Sequence, residues 1–205
     1  VRAVALLLTL SLLGCSTEEP CEPEVDAVPA PELDGASLWL NTDAPWRLAD
    51  LRGQVVLLDF WTYGCVNCLH QLPTLSELED RFADRPFVLL GIHAGNFYTE
   101  KDAQSIQAAI EIYEVEHPVA VDSEFLIYDA YGAFAYPTGA FIDARGRYRR
   151  RLAGEFEFAT DVPGYIDGLL DEAQCAGIAG EPIDYRREPD HRGDMPLRFP
   201  AKVLA

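Results

Sequence analysis

The sequence predicts an α/β fold, a central mixed β-sheet flanked by helices on both faces. Three observations predict it. Two continuous apolar runs, 55–60 and 87–92, are rich in branched residues, as strands buried on both faces are. Each is followed by a segment with apolar residues three and four apart, the spacing of a helix with one inward face. Two alternating segments, 138–142 and 147–152, meet at Asp143-Ala144-Arg145-Gly146, a hairpin turn.

Around this frame the other elements follow in order. Ser37-Leu38-Trp39-Leu40 reads as a short strand, and 48–51 as a helical turn closed by Gly53. The first helix spans about 65–82, with Leu69, Leu72, Leu75, Leu78 and Phe82 inward and Pro73 expected to kink it. A second helix over 100–114 turns Ile106, Ala109, Ile110 and Tyr113 to one side. A strand at 118–121, a short helix at 124–131, the hairpin, and a helix at 159–175 complete the order. The last helix has Pro163 in its first turns and Ile166, Leu169, Leu170 and Ala173 inward. No internal repeat is present.

The chain has 205 residues, enough for one domain with a substantial core. Its formal net charge of −18 repels phosphate backbones and argues against a nucleic-acid partner. No apolar run reaches the ~18 residues of a membrane-spanning helix. Five cysteines are too few to build a disulfide scaffold in a chain of this length.

Residues 1–14 begin with a positive charge at Arg2 and continue almost wholly apolar, the pattern of an export signal. Leu12-Leu13-Gly14-Cys15 resembles the lipobox of bacterial lipoproteins, which implies lipid on Cys15 and a place on the cell envelope; an ordinary secretory signal is the alternative. Either reading puts the chain in an oxidising compartment. Residues 15–32 are acidic and rich in proline, as a tether is. A domain is expected over 33–177 and a polar tail over 178–205. Cys21 and Cys175 either form a disulfide or leave Cys175 as a buried core thiol.

The chemistry concentrates where the first buried strand meets the first helix. Cys65-Val66-Asn67-Cys68 lies at that junction. A sulfur at a helix start faces free backbone N–H groups, which favour the thiolate. A second cysteine three residues on stands close enough for a disulfide. The implied reaction is thiol–disulfide exchange: Cys65 attacks and Cys68 resolves. Half a zinc site would need a second ligand pair, which the sequence lacks, and a static disulfide is the other bland alternative. Asp59, a charge inside a buried strand, is expected to bind protons near neutrality and to serve as a proton shuttle for Cys68. The alternative is an aspartate satisfied by local hydrogen bonds.

Asp59-Phe60-Trp61 with the cysteine pair resembles the active-site segment of the thioredoxin-like superfamily, and Tyr136-Pro137-Thr138 resembles its cis-proline loop. The resemblance implies a thioredoxin fold and a substrate-binding role for Trp61, Tyr63, Tyr136, Pro137 and Thr138. Over 30–153 the chain looks like the exported TlpA-type members. Trp61-Thr62-Tyr63, Gly91-Ile92-His93-Ala94 and Glu116-His117-Pro118-Val119 are closer to thioredoxin domains that precede NHL-repeat propellers. The segment 196–204 resembles the opening of such a propeller. The implied partners are cysteine-containing substrate proteins, a membrane or periplasmic thiol reductant, and the membrane through the lipid anchor. No metal or organic cofactor is required. The rival readings are a Cu(I) carrier using Cys65, Cys68 and His93, and a non-catalytic adaptor.

The remaining polar residues receive plainer expectations. His70 is placed on the surface, His93 at a satisfied strand end, and His117 and His191 in loops. Arg147, Arg149, Arg150 and Arg151 are expected to be solvated on an edge hairpin.

Overall fold

The structure is a computed structural model that describes residues 27–155 and 161–187. The expected signal segment, Cys15, Cys21, His191 and the propeller-like segment 196–204 lie outside the described residues. The strands are β1 (Val28–Pro29), β2 (Leu38–Leu40), β3 (Val55–Trp61), β4 (Phe87–His93), β5 (Val119–Val121), β6 (Thr138–Ile142) and β7 (Arg147–Ala153). The helices are α1 (Val66–Arg81), α2 (Ala103–Ile112), α3 (Leu126–Ala130) and α4 (Val162–Cys175). The strands form one sheet in the order β1-β7-β6-β3-β4-β5-β2. It is mixed, as expected: β3, β4 and β5 run parallel, while β6 pairs antiparallel with β3.

Every residue of β3 and β4 is buried, which is why both read as unbroken apolar runs. Val55 and Leu57 of β3 face α1 and α4, where they meet Leu75, Leu78, Ile166 and Leu170. Val56, Leu58 and Phe60 face the other way, against Leu48, Leu51, Ile127 and Tyr131. At the carboxyl end of the strands, Trp61 and Cys68 pack with Ile106 and Ile110 of α2. Helices therefore cover both faces, with α3 and a 3₁₀ turn at Leu48–Leu51 on the second. Gly53 follows that turn at φ +93°, a conformation that side chains resist.

The structure departs from the sequence pattern in several places. The expected 100–114 helix divides into a 3₁₀ turn, Tyr98–Lys101, and α2. Asp102 divides them, because its carboxylate accepts the Ser105 N–H at 2.8 Å and so caps a new helix. The last helix starts at Val162, capped by Asp161, instead of at 159. Pro73 lies inside α1, which runs as one helix from Val66, instead of 65, to Arg81.

Both expected domain boundaries fall short. Val28–Pro29 of the tether pairs with β7, and Ala30 packs against the core. Beyond 177, the chain returns to the domain. Tyr185 packs into two core clusters, and its hydroxyl accepts the Leu89 N–H at 3.1 Å. Ile183 also packs on the core, and Gly180, Glu181 and Arg187 bond to the domain through their backbone, so a segment of polar composition is anchored at several points.

The arginine cluster is not a solvated edge, since β7 lies between β1 and β6. Arg149 is the extra residue in the β6–β7 register, where Phe141 pairs with Arg150 and Ile142 with Tyr148. Its guanidinium bonds Asp143 at 3.2 Å and Glu172 of α4 at 2.7 Å. Arg147 also bonds Asp143, at 3.0 Å, while Arg150 and Arg151 lie over the rings of Tyr165 and Phe134. Cys175 is exposed and disulfide-bonded, which removes the buried-thiol alternative.

Leu58 has no exposed surface. Leu58→Ala is expected to cost about 2–5 kcal/mol in urea unfolding. Ile112→Ala, at a 45% exposed position, is expected to cost under about 1 kcal/mol.

Candidate active site

Strand β3 ends at Trp61, the chain turns through 62–64, and α1 begins with Cys65 as its N-cap. The turn is held from beneath. Thr62 donates its hydroxyl to Glu100 Oε1 at 2.8 Å, and the same buried carboxylate accepts the Phe97 N–H at 3.0 Å. Tyr63 donates its N–H to His93 Nε2 at 3.3 Å and its hydroxyl to the Thr99 carbonyl at 2.6 Å.

The two sulfurs sit in different surroundings. Cys65 is half-buried, and its Sγ accepts the Cys68 N–H at 3.3 Å. That backbone donor, at the positive end of α1, stabilises negative charge on Cys65. Cys68 is buried within the Trp61 cluster. Burial pushes its thiol well above the ordinary range, and contact with Cys65 and the charge of Asp59 push the same way. Both are free thiols. The first sulfur thus reaches the surface, and the second is buried and holds its proton.

Asp59 lies on the same face of β3 as Trp61 and is 1% exposed. Desolvation raises its carboxyl to about 7, against smaller opposing effects from the His117 charge and a hydrogen bond from Gln71. Gln71 Nε2 donates to Oδ1 at 3.1 Å. Local hydrogen bonding, the bland alternative, is thus present but does not offset burial.

The cis-proline loop comes up beside the cysteines. The Tyr136–Pro137 peptide is cis. Thr138 pairs with Phe60 across β3 and β6, which brings this loop to the end of β3. Tyr136 and Cys65 both pack against the Trp61–Cys68 cluster. The Tyr136 hydroxyl donates to the Ala94 carbonyl, and burial raises its phenol above the ordinary range. Tyr63 and Tyr136 are partly exposed, whereas Trp61 and Thr138 have no exposed surface. That corrects their placement among substrate-binding residues: side chains without exposed surface support the site from below.

His93 is fully buried between Trp61 and Tyr63, with ring centroids 5.1 and 5.5 Å away. Burial lowers its imidazole to about 4, so it is neutral at physiological pH. It is not a fully satisfied strand-end histidine, because Nδ1 has no hydrogen-bond partner among the described residues. It also does not join the cysteines as a Cu(I) ligand: among the described residues, no three His, Cys, Asp or Glu side chains come together as a metal group. His70 is exposed, as expected. His117 is in a loop but is 2% exposed, with Nδ1 3.3 Å from Glu79 Oε2.

Sequence reasoning did not single out Gln71, Glu79, Glu100 or His117 as site residues. A signal for two of them existed. Gln71 and Glu79 follow Cys68 by 3 and 11 residues, both inward positions on α1. Polar residues on an apolar helix face mark something buried that needs them.

The AhpC/TSA family matches residues 26–151 of this geometry's sequence, well over half of the chain. The chain belongs to the AhpC/TSA family. This AhpC/TSA domain is 41% identical to NHL repeat-containing protein 2 of Gallus gallus over 84% of its own length and 24% of that protein's. It is 27% identical to thiol-disulfide oxidoreductase ResA of Geobacillus thermodenitrificans, covering 82% of this chain and 94% of ResA. Its structure matches the thioredoxin-like superfamily protein SPOA0173 with a TM-score of 0.60 at 26% identity, over 77% of this chain and 100% of the other. The thioredoxin fold expected from the sequence is therefore the observed one. The chain spans less than a quarter of the length of the curated relatives it matches at 34% and 41% identity.

The buried carboxyl has a thermodynamic signature. Below pH 3.8 Asp59 is protonated in folded and unfolded chains alike. Between 3.8 and about 7 the folded chain keeps a proton that the unfolded chain has lost, so stability falls as pH rises through that window. Asp59→Asn is expected to stabilise the domain by roughly 2–4 kcal/mol at pH 8 and to change little below pH 4, measured by urea unfolding at each pH.

Proposed function

We propose that this domain is a thiol–disulfide oxidoreductase that exchanges disulfides with cysteine-containing proteins outside the cytoplasm. The observation that carries the proposal is the pair of unequal sulfurs, Cys65 under a backbone N–H and Cys68 buried beside Asp59. Cys65 thiolate attacks a substrate disulfide. One substrate sulfur leaves as thiolate and the other is held in a mixed disulfide. Cys68 gives its proton to Asp59 and attacks Cys65. The Cys65–Cys68 bond forms as the bond to the substrate breaks, and the substrate leaves reduced. A thiol reductant restores the pair.

The surroundings fit a protein substrate. Val66, Phe97, Tyr98 and Phe134 are 60–91% exposed, and all lie on or beside the loops that carry the site. Such a rim accepts an apolar chain segment, with Tyr63 and Tyr136 receiving it next to Cys65 and the buried Pro137 behind them. The disulfide at Cys175 fits an oxidising compartment. With the Leu12-Leu13-Gly14-Cys15 segment, it supports a chain anchored by lipid on Cys15 and facing the cell envelope.

Expressed in its native compartment, Cys68→Ser is expected to accumulate protein partners in mixed disulfides on Cys65, read on non-reducing gels. Cys65→Ser is expected to trap none and to lose insulin-disulfide reduction. A metal carrier or a non-catalytic adaptor would leave the Cys68→Ser lane empty, which would overturn the proposal.

A further inference from the structure

Behind the cysteine pair lies a row of buried polar side chains of which the exchange reaction, as written, uses only Asp59. Asp59 stands on β3, Gln71 and Glu79 on the inner side of α1, and His117 on the turn before β5. Glu79 and His117 are 4% and 2% exposed. Water does not stabilise polar groups at that depth.

The backbone brings His117 to Asp59. In the β3–β4 ladder, Asp59 pairs with Gly91. A methyl group on Gly91 would lie 3.2 Å from His117 Nε2 and 3.0 Å from Trp61 Nε1. The imidazole edge therefore fills the space over the glycine beside Asp59, and any larger residue at 91 would push it away. On the other side of the ring, Nδ1 is 3.3 Å from Glu79 Oε2. In the neutral ring, with Nδ1–H donated to Glu79, Nε2 is an acceptor; only the protonated ring carries the charge that lowers Asp59. His117 Nε2 has no hydrogen-bond partner among the described residues, while Glu79 also meets the Tyr185 hydroxyl. Open polar atoms at such burial are destabilising, so a cluster serving the fold alone would be better built from apolar side chains.

Glu79 and His117 also line a surface cleft of about 350 Å³ between α1 and the 113–117 segment. The row thus runs from the buried sulfur to a cleft whose wall also carries Leu69 and Pro73 of α1.

We infer that His117 and Glu79 relay the Cys68 proton from Asp59 to this cleft. The inference rests on the proposed role of Asp59. When Cys68 attacks the mixed disulfide, its proton passes to the Asp59 carboxylate. Asp59 then gives a proton to His117 Nε2 as the two close the gap that leaves Nε2 without a partner at rest, His117 passes its Nδ1 proton to Glu79, and Glu79 releases one to solvent. His117 is left in the opposite tautomer. When a reductant reopens the Cys65–Cys68 bond, a proton runs inward along the same groups and restores the first tautomer. The relay lets the site change its protonation while a substrate protein covers the cysteine face.

The groups that face the relay come from every neighbouring element. Asp59 faces it from β3 and Cys68 from α1, while Tyr185 and Arg186 of the C-terminal segment act on Glu79, and Glu116 lies near Arg186. None of these supplies a second basic nitrogen beside Asp59.

Dipyridyl disulfide separates the steps, because the reduced protein releases one pyridinethione when Cys65 attacks and a second when Cys68 resolves. In the wild type the second release is expected to rise with pH through about 7, where Asp59 ionises, and then level off. Glu79→Gln keeps the hydrogen bond to His117 Nδ1 but cannot take its proton, so it is the decisive variant. Glu79→Gln and His117→Gln are each expected to lower the plateau of the second release about tenfold or more, with the first release unchanged. Loss of the His117 charge alone would move the midpoint and spare the plateau.

If Asp59→Asn slows the second release but Glu79→Gln matches the wild-type plateau, the relay is overturned and the role of Asp59 stands. An Asp59→Asn protein with wild-type resolution would remove both.

Discussion

A carboxyl group sealed inside the central strand is the constraint around which this protein is arranged. Asp59 occupies a position in β3 whose neighbours along the strand are all buried. Desolvation outweighs the hydrogen bond from Gln71 and the charge of His117, and the group binds its proton near neutrality. Several features of the surrounding sequence follow from accommodating it. Glycine stands opposite on β4, a glutamine interrupts the apolar face of α1, and a histidine enters from the β5 side. Each departs from what simple core packing would select.

The reactive face depends on a second, purely backbone effect. The strand delivers Cys65 to the start of α1, where the first turn holds no acidic side chain. In a chain with a net charge of −18, keeping acids out of that turn lets the helix start act on the sulfur unopposed. The same helix carries Cys68 inward, to the cluster around Trp61. One helical turn therefore separates an accessible sulfur from a buried one and gives them different chemistry. Glu100, reached from the 3₁₀ turn after β4, fixes the approach through Thr62.

How much of this could be read in advance depended on the range of the interaction. β3 and β4 were legible because burial on both faces writes itself as an unbroken apolar run. The cysteine pair was legible because its meaning lies in four consecutive residues and the strand before them. Asp59 was legible as an anomaly within such a run. His117 was not, because its place beside Asp59 arises from the pairing of β3, β4 and β5, some 58 residues away in sequence. Segment 178–187 was misread for a related reason. Its composition is polar, and what ties it down is the packing of Ile183 and Tyr185 on the core and backbone bonds to Gly53, Gln54 and Glu116, all long-range.

The amino-acid sequence alone determined the sheet class and the family motif, and it singled out the cysteine pair, since each is expressed by short-range period or covalent neighbourhood. The tertiary structure alone decided which polar groups share the space behind Cys68, that Trp61 and Thr138 support the site without surface to touch a substrate, and that both ends of the domain extend past their polar-looking boundaries. The physical reason is desolvation: the state of a carboxyl, an imidazole or a thiol depends on what covers it, and the covering residues come from distant parts of the chain.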